Sequence, residues 1–156
     1  MKHSVRAVIV EDGKLLCVKL VDCADDGQFY YMLPGGEALK IENIFDATVR
    51  HCLDKVNLKV KVHDLLFVRD YKTQHYNGHE LQVVHETEHI FLCHVLQKRD
   101  ELWGTNPEEN QIGVEWIPIR DLTEYEFNSE VHYFCEKDEP ENINEINFSD
   151  KAVSAE

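Results

Sequence analysis

The chain has 156 residues, 43% of them hydrophobic, with 16 Lys and Arg against 30 Asp and Glu and a formal charge of −14. That length suits one domain with a core of its own, and apolar residues spread through the first 123 positions exclude global disorder. The acidic balance argues against a sequence-independent binder of nucleic-acid polymer, yet leaves room for a small anionic ligand, because a few cations or one metal ion reverse the local sign.

Val5 to Val10 and Lys14 to Val21 are β-rich runs separated by Glu11-Asp12-Gly13, a strong hairpin signal because Gly takes the positive φ of a tight turn. Phe29 to Leu33 is a third short run, and Pro34-Gly35-Gly36 is expected to end regular structure there. From Asn43 the period changes. Ile44, Phe45, Val49, Cys52, Leu53 and Val56 share one arc at roughly 100° per residue, which predicts a helix buried on that side. Asp46, Arg50, His51, Asp54 and Lys55 fall on the opposite, polar arc. Asn43 with Asp46 resembles a capping box, and Asn57 suits a left-handed C-cap.

Leu58 to Val68 alternates and predicts one or two strands, Asp70 to His79 a polar loop, and His85 to Leu96 a strand. Glu101 to Gly113 is expected to be a loop, followed by a short strand over Val114 to Ile119 and a turn of helix near Asp121-Leu122. The pattern predicts a folded domain over residues 1–136. Residues 137–156 hold six acids against two lysines and read as a solvated acidic tail.

Cys17, Cys23, Cys52, Cys93 and Cys135 are odd in number, with no C-x-x-C pair, so they are expected to be reduced thiols of a cytoplasmic protein. No run reaches the ~18 apolar residues of a membrane span, and Met1-Lys2-His3-Ser4 enters an alternating segment directly, so neither anchor nor leader is expected.

One constellation carries chemistry. Gly36 is followed by five residues and Glu42, seven more and Arg50, and then by His51-Cys52-Leu53-Asp54-Lys55-Val56-Asn57-Leu58, with Tyr31-Met32-Leu33-Pro34-Gly35 leading in. This resembles the Nudix box, G-x5-E-x7-R-E-U-x-E-E-x-G-U with U a bulky apolar residue, and the likeness extends over roughly residues 4–123. The resemblance implies an α/β fold, an α/β/α sandwich with a mixed sheet, whose loop–helix–loop presents carboxylates to Mg²⁺ or Mn²⁺. It also implies hydrolysis of nucleoside diphosphates linked to another group. A divalent ion suits that chemistry because it neutralises the pyrophosphate and activates water. Glu42, Arg50 and Asp54 would then be the catalytic set, with Glu42 and Arg50 bracing the loop. Gly35, Gly36 and Lys55 would meet phosphate, and Asp54 with His51 would be the remaining metal ligands. The implied partner is a small nucleotide diphosphate, with neither nucleic-acid polymer nor membrane, and a homodimer is in keeping with the family.

The carboxylate positions of the box fall at His51, Asp54 and Lys55, where the charges sum to about zero. An ammonium a few ångströms from a divalent ion costs on the order of several kcal/mol even at an effective dielectric near 20. Three readings follow: a solvated face without a role, a binding protein in which Lys55 contacts phosphate and no metal is needed, or an enzyme recruiting Glu37, Glu86, Glu88, Glu108 or Glu109. A separate motif, His85-Glu86-Thr87-Glu88-His89, satisfies the H-E-x-x-H pattern of zinc metalloproteases if helical. The β-branched surroundings favour a strand, which sets the two imidazoles ~13 Å apart. His75, His79 and His94 are expected to be surface or partly buried imidazoles. Arg6, Arg69, Lys72 and Arg99 are all eligible to hold phosphates, and the sequence singles out none of them.

Overall fold

Asp12 and Gly13 both take positive φ, 52° and 72°, and close a two-residue turn between β1 (Lys2–Glu11) and β2 (Lys14–Asp22). The computed structural model describes residues 2–22 and 27–127, so the acidic tail over 137–156, Cys23 and Cys135 lie outside the described residues. Further along come β3 (Gln28–Met32), β4 (Gly35–Glu37), α1 (Ile44–Val56), β5 (Lys59–Asn77), β6 (Glu80–Gln97), β7 (Gln111–Pro118) and a 3-10 helix, Ile119–Glu124. The result is the expected α/β fold, a mixed seven-stranded sheet in the order β3-β2-β1-β6-β5. Among the named strands described, only β1 and β6 pair in parallel.

β1 and β2 pair only beside their turn, at Val10↔Leu15 and Glu11↔Lys14. Beyond it they part: β1 takes β4 as neighbour at residues 4–6, and β2 takes β3 at residues 18–22, with β7 along its other edge. That divergence opens a fork in the middle of the sheet.

Alternation along β1 sends Val5, Ala7 and Ile9 to one apolar layer, with Leu16, Val18, Leu20, Phe91 and the α1 residues Ala47, Cys52 and Val56. Val8 joins the other, with Leu15, Tyr31, Ile90 and, from the 3-10 helix, Ile119 and Leu122. Each fully buried Leu or Ile contributes about 1.5–3 kcal/mol. Cys17, Cys52 and Cys93 are free and buried. No helix among the described residues is long and apolar enough to cross a membrane.

Four expectations need correction. The polar stretch Asp70 to His79 is not a loop: β5 continues to Asn77, turns at Gly78 (φ 69°), and returns as β6 from Glu80. Past the Lys2↔Glu86 pairing β1 has ended, and Lys72, Gln74 and the consecutive residues Glu80, Leu81, Gln82 and Val83 are exposed, so no buried period marks this ribbon. Gly35 and Gly36 do not end regular structure; they form β4 against β1. β7 begins at Gln111, inside the segment expected to be loop.

The helix is where its pattern predicts, but its buried face is turned. Ala47, Thr48, His51, Cys52, Lys55 and Val56 face inward, while Phe45 and Leu53 are 53% and 36% exposed. Small Ala47 and Thr48 let the helix approach the sheet, and His51 Nε2 and Lys55 Nζ find partners inside. The caps hold as expected: Asn43 Oδ1 accepts from the Asp46 amide at 2.8 Å, and Asn57 takes the left-handed conformation at φ 56°.

Candidate functional site

The fork between β1 and β2 contains a cavity of about 150 Å³, with α1 and the β6–β7 loop at its mouth. Val18, Leu20 and Met32 form its apolar wall, and Arg6, Lys55, Glu108 and Asn110 its polar lining. Asn110 Nδ2 donates to the Val21 carbonyl at 3.0 Å and to the Tyr30 hydroxyl at 3.1 Å, which fixes the loop side of the opening.

Arg6 is the residue that the sequence left undistinguished from Arg69, Lys72 and Arg99. Its Nη1 donates to the Leu33 carbonyl at 2.9 Å and its Nε to Glu88 Oε2 at 3.4 Å. Glu88 is 2% exposed and also pairs with Arg69 Nη2 at 3.4 Å. The stem of Arg6 crosses Gly35, where an added Cβ would meet the Arg6 Cδ at 2.9 Å. Gly35 therefore serves a close approach between β4 and β1, and through it the placing of Arg6.

Glu42 and Arg50 form a bidentate pair, Nη2–Oε1 at 2.7 Å and Nε–Oε2 at 3.1 Å, and Glu42 Oε1 also accepts from the Leu39 amide at 2.9 Å. The Arg50 bonds, helped by the Leu39 amide, hold the Glu42 carboxyl below the usual range against the opposing effect of burial. Arg50 reaches on to Asp54 Oδ2 at 3.4 Å and to the Glu37 carbonyl at 3.3 Å, so one guanidinium ties the loop before α1 to the helix.

His51 is 6% exposed. Its Nε2–H donates to the Glu37 carbonyl at 2.9 Å, and its buried Nδ1 has no hydrogen-bond partner. Burial, reinforced by the charges of Arg50, Lys55 and Arg6, lowers its pKa and keeps the ring neutral. The ring lies on Gly36, where a Cβ would fall 2.6 Å from Cε1. Lys55, 8% exposed, donates from Nζ to the Asn106 carbonyl at 2.9 Å and pairs with Glu108 Oε1 at 3.3 Å. The same turn of α1 holds the β6–β7 loop through Asp54, whose carbonyl accepts from the Asn106 amide at 3.0 Å.

The structure thus gathers Glu42, Arg50 and Asp54 into one network, and sets Lys55 and Gly35 on the cavity with Gly36 beneath His51. Of the acids eligible as outside ligands, Glu108 alone lines this cavity. Glu88 is enclosed by two arginines, Glu86 bonds Tyr71 on the ribbon, and the side chain of Glu37 is 60% exposed beside Lys2. His85 and His89 sit in strand β6, which excludes their sharing one zinc ion.

This donor set does not fit a hard divalent ion. Among the described residues no three His, Cys, Asp or Glu come together as a metal-holding group. Asp54 is engaged by Arg50, and the position of the last helix carboxylate holds an ammonium.

A family model described as NUDIX domain matches residues 1–137. No curated protein matches at a significant level. Among solved structures, a NUDIX hydrolase from Nitrosomonas europaea is similar with a TM-score of 0.66 at 18% identity, over 86% of each chain. An ADP-ribose pyrophosphatase from Streptococcus suis has a TM-score of 0.56 at 22% identity, over 78% of this chain and 76% of that one. A UDP-X diphosphatase has 0.59 at 24%, over 83% of this chain and 55% of that one.

Proposed function

The chain belongs to the NUDIX domain family, and from that premise we propose that it binds a small nucleoside diphosphate in the β1–β2 fork and hydrolyses it weakly or not at all. The ancestral activity in this reading is divalent-metal-dependent pyrophosphohydrolysis. Arg6 and Lys55 supply the positive charge for the diphosphate, and Val18, Leu20 and Met32 the apolar contact for the rest of the ligand. The observation that carries the reading is Lys55: a buried ammonium, bonded to Asn106 and Glu108, stands where the family's helix presents its last carboxylate.

Glu42, Arg50 and Asp54 keep the scaffold role in this reading. The Glu42–Arg50 brace and the reach of Arg50 to Asp54 fix the loop and helix around the fork. Free buried thiols agree with an intracellular, cytoplasmic setting.

A second reading, an active hydrolase with a carboxylate from outside the box, rests on Glu108, which lines the cavity with a 42% exposed side chain. Calorimetry with ADP-ribose, run in EDTA and again in Mn²⁺, separates the two. The binding reading expects affinity that survives EDTA and falls at least tenfold in Arg6→Ala, with no more than trace release of AMP. Brisk Mg²⁺- or Mn²⁺-dependent turnover by the unaltered protein overturns it in favour of the second.

A further inference from the structure

We propose that a second cavity, separate from the fork, binds a small organic anion with a flat apolar body. It measures about 200 Å³, against about 150 Å³ for the fork, and lies where the β1–β2 turn meets the end of β6. Leu58, Val95, Leu102 and Trp116 make its apolar part, all belonging to or packed on the layer beneath α1. A planar ligand gains there from apolar burial and from the indole.

The charge at this cavity runs against that of the molecule. Lys14, Lys98 and Arg99 line it with Glu11 and Asp12, three cations less two carboxylates, a net +1 on a chain of −14. Glu11 is drawn to Lys98 at 3.5 Å, so Lys14 and Arg99 face one remaining acid, Asp12. Two cations beside an indole and an apolar floor select an anionic aromatic group over a neutral or cationic one.

The cavity is built rather than left over. Its loop wall, which carries Leu102, is fastened to α1 by Asn57 Nδ2 on the Glu101 carbonyl at 2.8 Å. On the facing side, the Gly13 carbonyl accepts from the Ile119 amide at 2.9 Å, which ties the turn to the end of β7. Walls held on both sides lower the ordering cost of binding.

The test uses 1-anilinonaphthalene-8-sulfonate, an aromatic anion whose emission rises on leaving water, titrated into the full chain by fluorescence and calorimetry. The expected result is saturable 1:1 binding, weakened at least tenfold in the double variant Lys14→Glu/Arg99→Glu. The charge-matched control Lys40→Glu/Lys72→Glu, altered at exposed positions outside the lining of both cavities, should bind as the unaltered chain does. Inorganic phosphate at the same concentrations should not displace the probe, because it lacks the apolar body. Equal weakening in both double variants would reduce the effect to general charge and overturn the proposal. So would unchanged binding in Lys14→Glu/Arg99→Glu, or displacement by phosphate alone. Loss of probe binding in Arg6→Ala, with Lys14→Glu/Arg99→Glu unaffected, would place the probe in the fork and overturn the proposal as well.

Discussion

Lys55→Glu is the substitution that most directly tests the site. The bond from Nζ to the Asn106 carbonyl is charge-assisted, and its loss costs about 1.5–3 kcal/mol. The pair with Glu108 is partly screened, since that side chain is 42% exposed, and contributes at most about 1 kcal/mol. Reversal adds repulsion between two carboxylates, about 4 kcal/mol at 4 Å for an effective dielectric of 20. Rotation of Glu108 into solvent should bring that to about 1 kcal/mol, the scale of exposed pairs. The sum is about 3–5 kcal/mol, a large share of the roughly 5–15 kcal/mol that holds such a domain folded. Urea unfolding by circular dichroism reads it, with Lys55→Met as the partner variant that loses the bonds without the repulsion and should fall by about 2–4 kcal/mol. Mn²⁺ should then separate the chains. A site made of the introduced carboxylate, Asp54 and Glu108 that binds only the folded state recovers about 2.7 kcal/mol at a hundredfold excess over Kd, whereas the unaltered chain gains nothing. Equal Mn²⁺ stabilisation of both proteins, or a Lys55→Glu chain as stable as its parent, would refute the reasoning.

Gly36→Ala and His51→Ala should be non-additive. The methyl added at position 36 destabilises by about 1–3 kcal/mol when the imidazole is present, and removing the ring recovers the part owed to that contact while the part owed to the φ of 159° stays, as a double-mutant cycle in urea would record. Glu88→Gln leaves Arg6 and Arg69 facing a neutral amide and should cost about 3–5 kcal/mol in the same assay, with ligand affinity falling because Arg6 loses its anchor. Acid should weaken the fold in two windows. Burial first of all holds His51 and His89 below the ordinary 6.5, so the unfolded chain binds more protons and stability drops as pH falls beneath about 6.5. Glu42, held low by Arg50, contributes stability present above 4.5 and lost as pH falls further, through its native value. Thermal midpoints from pH 8 to pH 3 should show both steps, and His51→Gln/His89→Gln should flatten only the first.

Local chemistry made much of the fold legible. Asp12-Gly13 marks the hairpin, Asn43 and Asn57 bracket α1, and the β1 alternation of Val5, Ala7 and Ile9 against Val8 divides the two apolar layers. What stayed hidden depends on partners distant in sequence. The ribbon beyond Asp70 shows no buried period, because β1 no longer runs beside it and consecutive residues of β6 are exposed. His51 and Lys55 look like solvent-facing residues until the Glu37 carbonyl, 14 positions away, and the Asn106 carbonyl, 51 away, give His51 Nε2 and Lys55 Nζ acceptors inside. Arg6 interrupts an apolar strand, a sign of some duty beyond the core, yet Lys19 interrupts β2 in the same manner. Only Gly35, Leu33 and Glu88, converging from three segments, distinguish Arg6.

The helix face is bonded internally except at His51 Nδ1, and that bears on how an ion site could be built there. His51 is a donor to the Glu37 carbonyl, so a glutamate at position 51 would set a carboxylate against that carbonyl with no hydrogen between them. A glutamate at position 55 would likewise face the Asn106 carbonyl and Glu108. Each change alone makes an acceptor cluster that costs stability, and both costs are relieved by the same agent, a cation shared among the new oxygens. The triple variant His51→Glu/Asp54→Glu/Lys55→Glu should therefore be less stable than the parent in EDTA. In millimolar Mn²⁺ it should regain stability by more than Lys55→Glu alone does, and it should release AMP from ADP-ribose at a rate above the parent's. Thermal unfolding with and without Mn²⁺, followed by product analysis on the same samples, reads both effects. A folded triple variant that neither binds Mn²⁺ nor turns over would mean that positions 51, 54 and 55 are not where this chain parts from its hydrolytic relatives.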